Sequence, residues 1–194
     1  MFGTAIDGLN QGLIRIQIDL QADTVARQRV CLLVIRVGDR GRVDVVHDWA
    51  DAIDFQAPHI EANGTAPLGG ALNLALTKIE QLTQKMKQTG IRHTRPLLYM
   101  ITAGQPAGGK EWATAVLRCR SDIQAKKVQL FAIGTSDDVN FEALKETGGA
   151  MLKLMGLNFR ELFQFISASV ASASKMVPGQ NPQVTKPQSI TIVT

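Results

Sequence analysis

Apolar residues in the first part of the chain recur every three or four positions, at Ile6, Leu9, Leu13, Ile16 and Leu20. That spacing lays one apolar stripe along a helix, so an amphipathic helix over 4–22 is expected to lie against a core. From residue 30 the pattern changes to a continuous β-branched run, VCLLVIRV, and a second run, VDVVH, comes after the turn-forming GDRG. These two runs predict a β-hairpin over 30–37 and 43–47.

An irregular stretch through Pro58 leads to the glycine-rich NGTAPLGG at 63–70, and then to a helical stripe of Leu72, Leu76, Ile79 and Leu82 over 71–88. Gly90 supplies the stop. The run PLLYMIT at 96–102 is apolar throughout, as expected of a strand covered on both faces, and a helix running to Lys126 comes after it. Next come a buried strand over 128–134, a short helix capped by Asn140 and ending near Glu146, and a strand over 151–154. Asn158 then opens a helix with Leu162, Phe165, Ile166 and Val170 inward. The alternation predicts an α/β sandwich with a mainly parallel sheet, one antiparallel hairpin strand and helices on both faces. Residues 178–188 have linker composition, whereas SITIVT at 189–194 has strand character, with a frayed chain end as the alternative. The expected organisation is one domain over 1–177 and a linker with a strand-like tail over 178–194.

With 194 residues, 45% of them hydrophobic and 20% charged, one domain can bury a substantial core. The net charge of +4 is scattered, and no basic run is interleaved with aromatics, which argues against nucleic acid as a partner. Two cysteines, Cys31 and Cys119, make no disulfide framework. No leader pattern opens the sequence and no apolar run approaches a membrane span, so a reduced, cytoplasmic, soluble protein is expected.

The stretch ITAGQPAGGKEW contains Gly104 to Lys110 in the G-x-x-x-x-G-K spacing of a phosphate loop. Three features weaken that reading. Glu111 stands where a metal-binding Ser or Thr is needed, Pro106 has no N–H to give an anion, and the strand over 130–133 ends in Gly134-Thr135 rather than an Asp. A nucleotide-binding protein therefore stays a lesser alternative. His47, His59 and His93 show no metal-type spacing. Cys119 lies between Arg118 and Arg120, which could depress its pKa, but it has no evident histidine partner. Asp7, Asp137 and Asp138 read as loop and helix-end residues. No enzymatic constellation emerges, and a noncatalytic protein is expected.

Taken in order, these segments resemble a von Willebrand factor A domain, and within that family the bacterial TerY-like tellurite-resistance branch. In the family, a first strand ending D-x-S-x-S leads into the first helix; MFGTAIDGLN looks like the continuation after that motif. The family's Gly-Thr before the next long helix is matched by Asn63-Gly64-Thr65-Ala66-Pro67-Leu68, and its T-D-G-x-P strand end by Thr102-Ala103-Gly104-Gln105-Pro106. The resemblance covers roughly 1–177. It implies a Rossmann-like sandwich and a protein-binding face built around Asn63, Gly64, Thr65, Leu68, Ala103, Gln105 and Lys110. Metal-binding members hold Mg²⁺ with the D-x-S-x-S oxygens, the Thr and the T-D-G Asp. Of these, only Thr65 is matched, because Ala103 occupies the Asp position. A lone hydroxyl does not hold a cation that needs several well-placed oxygens, so no cofactor is expected. A metal-dependent adhesion module, with Mg²⁺ ligands supplied from outside the chain, is the alternative.

The resemblance also implies that the first family strand is missing from a central place between the hairpin and the strand over 96–102, leaving unpaired backbone there. A preceding segment, a partner or neighbouring copy, or residues 189–194 could fill the position, the last two by strand insertion, which between copies gives a swapped homodimer. An edge-docked or disordered tail is expected ahead of insertion. By resemblance, the partner is another protein, such as a phosphatase or kinase of a stress-response system linked to tellurite resistance.

Overall fold

The computed structural model describes residues 3–38, 41–61, 67–106, 109–176 and 187–193. Helix α1, Thr4–Ala22, has the predicted extent and is followed by a single helical turn, α2, Ala26–Arg29. The hairpin consists of β1, Cys31–Gly38, and β2, Arg42–Asp51, paired antiparallel with an irregularity around Val34. Helix α3, Leu68–Gln88, begins one turn before its apolar stripe, and Gly90 beyond its end adopts the positive φ that favours glycine. Then come β3, Leu97–Thr102; α4, Lys110–Gln124; β4, Gln129–Gly134; α5, Phe141–Lys145; β5, Ala150–Leu154; α6, Phe159–Ser174; and β6, Ile190–Ile192. Both predicted asparagine caps form: the Asn140 side chain accepts from Ala143 N, and that of Asn158 from Glu161 N.

The strands form two sheets. β3, β4 and β5 run parallel, and β6 adds antiparallel to the outer edge of β5, with Leu154 opposite Ile190 and Leu152 opposite Ile192. The tail is thus docked at a sheet edge. The hairpin stands apart as a two-stranded sheet, and no described strand joins β1 to β3. The coarse expectation of a mixed α/β fold with a mostly parallel sheet and an antiparallel hairpin holds.

Alternate residues of the central strand enter opposite layers, as the period of a strand requires. Leu130 and Ala132 of β4 pack with α3 and α4 through Leu72, Leu76, Trp112 and Val116. Ile133 packs on the other face with Leu20, Leu162, Phe163 and Ile166 of α1 and α6. The hairpin shares both layers, since Val37 and Trp49 reach the first and Leu32 the second. Close approach of α1 to α6 depends on glycine: a Cβ on Gly12 would lie 2.0 Å from the Phe163 ring, and one on Gly8 would lie 2.8 Å from Phe159. These two contacts advance together along both chains, so α1 and α6 run in the same direction. Their far ends are joined by the ion pair of Lys175 with Asp23 at 2.6 Å. Among the described residues, no helix is long and apolar enough to cross a membrane.

Candidate functional site

The carboxyl end of β3 is built from backbone outward. Gly104 N donates to the Thr102 hydroxyl at 3.2 Å, turning the chain out of the strand. Thr135 N donates to Thr102 O at 2.9 Å, and the Ser136 hydroxyl donates to Ala103 O at 2.7 Å, so the loops after β3 and β4 are fastened together. Ala103 is half-buried and offers only a methyl group, while Gln105 is exposed. Lys110 stands exposed in the first turn of α4, which Gly109 enters with φ of 97°.

Leu68 opens α3 nearby but is only 2% exposed, so it belongs to the core beside Trp112 and forms a floor rather than a contact surface. The amino ends of α3 and α4 nearly touch: a Cβ on Gly69 would lie 2.9 Å from Trp112 N, and one on Gly70 would lie 3.0 Å from the Glu111 carboxylate. Glu111 therefore sits over the start of α3. Of the sequence-predicted face, Leu68, Ala103, Gln105 and Lys110 are gathered at one end of the molecule, and Asn63, Gly64 and Thr65 lie outside the described residues.

Leu68, Ala103 and Gln105 border the mouth of a cavity of about 900 Å³ that runs back between β1 and β3. Leu13, Ile16 and Ile166 line it from the α1/α6 layer, and Leu72, Ala75 and Ile79 from α3. The strands flanking it are half-buried along nearly their whole length, although their sequences are those of fully covered strands. Helical stripes and apolar strands read alike whether they face protein or an opening, so nothing in these lining residues singles them out locally.

The other candidate groups are dispersed. His47 Nε2 accepts from Gln56 N and its ring tilts against Phe55, whereas His93 lies against Thr94 O. Among the described residues, no group of three or more His, Cys, Asp or Glu side chains could hold a metal ion. Burial, reinforced by Asp122, pushes the Cys119 thiol up to about 11, the opposite of the lowering that flanking arginines would produce. Arg118 explains the reversal for its part, because its guanidinium is turned to Asn73 O, Thr77 and Glu80. Burial and then Asp51 likewise raise Cys31 to about 11. Asp137 is paired with Lys153 at 2.7 Å, and that bond lowers its pKa.

No protein-family model matches the chain, and no curated protein matches it either.

Proposed function

We propose that this chain is a noncatalytic protein-interaction module of the von Willebrand factor A type, similar to TerY-like proteins, with a degenerate metal site. The observation that carries the reading is the face at the carboxyl end of β3, where Ala103 and Gln105 line one end of the cavity and the exposed Lys110 opens the helix that comes next. Such ends are where open α/β sheets present their binding loops. The residues there are a methyl, an amide and an ammonium group, suited to contact and hydrogen bonding, and Ala103 brings no oxygen side chain to a cation. By resemblance, the partner is a phosphatase or kinase of a stress-response system.

The test is capture of partners from the native host with wild-type protein, Lys110→Glu and Gln105→Arg, all with unchanged circular dichroism. The variants should lose at least tenfold of the protein captured by the wild type. Equal capture by all three overturns this face as the contact surface. Calorimetric titration with Mg²⁺ should give no micromolar binding, and such binding would overturn the metal-free reading.

A further inference from the structure

Lys and Arg are scattered along the sequence, but the fold gathers several of them at one end. β3 and β4 are parallel, so α3, which leads into β3, and α4, which connects it to β4, both end where these strands begin. Arg95 fastens the two helix-to-strand turns together: its Nε donates to Val128 O at 2.7 Å and its Nη2 to Ile123 O at 2.9 Å. Lys85 and Lys87 lie in the last turn of α3, Arg92 in the turn after it, and Lys126 and Lys127 in the turn after α4. Across 81–100 and 121–130 the only acid is Asp122.

Cations at helix carbonyl ends are ordinary, so only a surplus marks a surface. Each helix end presents about half a negative charge, and Asp122 adds one more, against the six cations Lys85, Lys87, Arg92, Arg95, Lys126 and Lys127. Asp122 is engaged by Lys127 at 3.1 Å, and Arg95 by the two carbonyls. Lys85, Lys87, Arg92 and Lys126 remain, all exposed and none in an ion pair with a described residue. An apolar residue stands among them. Gly90, with φ of 72°, closes α3, and Ile91 N donates to Met86 O at 2.8 Å. The residue after such a glycine commonly packs back on its helix, yet Ile91 is 55% exposed, beside Lys87 and Arg92 in one open recess.

The make-up of this end selects its partner. No exposed aromatic lies in either stretch to stack on a base, and both helices turn their carbonyl ends outward, where a phosphate backbone meets no free N–H donors. A bound peptide needs a strand edge or a groove, whereas this end is made of helix ends and turns. A bilayer needs neither. Its anionic headgroups are laterally mobile and gather under flexible lysines wherever these stand, and its interface accepts an apolar side chain. We propose that this end is a peripheral membrane-docking surface: Lys85, Lys87, Arg92 and Lys126 sit on anionic phospholipid headgroups, and Ile91 enters the interface. The loop with Ala103 and Gln105 leaves the opposite end of β3, so docking points the candidate binding face away from the bilayer. The surface is independent of the protein-interaction reading.

The test is sedimentation of the whole chain with phosphatidylcholine vesicles, with and without phosphatidylserine. Binding is expected only with phosphatidylserine and should fall steeply as salt is raised. Each basic residue near an anionic surface strengthens binding roughly fivefold, so Lys87→Gln combined with Lys126→Gln should weaken it about 25-fold at unchanged circular dichroism. Arg160→Gln, which removes an exposed cation from the start of α6 at the other end of the molecule, should change nothing. Ile91→Trp should bind at least as tightly, and its added emission should shift to the blue on the anionic vesicles. No binding to those vesicles, equal binding by the double variant, or an Ile91→Trp emission that they leave unmoved overturns the proposal. So does displacement from the vesicles by polyglutamate or duplex DNA at equal charge concentration, which assigns the cations to an acidic protein segment or a nucleic acid.

Discussion

Asp23 shows how much one side chain can organise. One carboxylate oxygen accepts from Val25 N and Ala26 N, both at 2.9 Å, and the other receives Lys175 from the end of α6. The Lys175 bond first, and then the two backbone bonds, hold this carboxyl down to about 2. An unfolded Asp titrates near ~3.9, so the folded state favours the ionised form. The stabilisation is complete above about pH 4 and is lost as pH falls through about 2. The melting temperature of the wild type should therefore drop more steeply between about pH 4 and pH 2 than that of Asp23→Asn. Asp48 and Asp137 are lowered in both proteins and cancel in the comparison. Parallel curves would show that the clamp contributes nothing to acid stability.

At the scale of elements, the main helices were legible because their apolar stripes and asparagine caps are local, and the strands because their apolar runs are uninterrupted. The turn α2 was not legible: its four residues, ARQR, carry no stripe, and its first N–H groups depend on Asp23, itself fixed by Lys175 far along the chain. Of the candidate site, the strand-end residues Ala103 and Gln105 could be placed from sequence. The burial of Leu68 could not, because it is set by Trp112 on another helix. An edge-docked or disordered tail was expected ahead of insertion, but which edge it takes was not legible, since the edge of any strand offers the same backbone groups. Side chains decide between them. Thr191 alternates with Ile190 and Ile192, and a strand with one polar face is costly at the centre of a sheet covered by helices on both sides but acceptable at an outer edge. Ile190 is fully buried there while Ile192 is 57% exposed. Deleting 187–194 should remove about 2–3 kcal/mol for that one side chain and expose the edge of β5. Urea unfolding should show the lowered midpoint, and light scattering the increased self-association; an unchanged midpoint would mean that β6 is only loosely attached.

At the scale of the whole molecule, the two helical layers extend across a sheet that is interrupted once. The four-stranded part is held by continuous ladders from β3 to β6, whereas the hairpin is attached by side-chain packing of Leu32, Val37 and Trp49, by the Lys78–Asp48 ion pair at 3.2 Å and by isolated hydrogen bonds just beyond its end, such as Ile53 N to Arg27 O at 3.1 Å. Packing without a shared ladder makes the hairpin a separate cooperative unit, able to open while the rest stays folded. In native-state hydrogen exchange, the amides that pair β1 with β2 should exchange through an opening of lower free energy than the amides of β4 and β5. Equal protection of hairpin and central strands in the wild type would contradict this division.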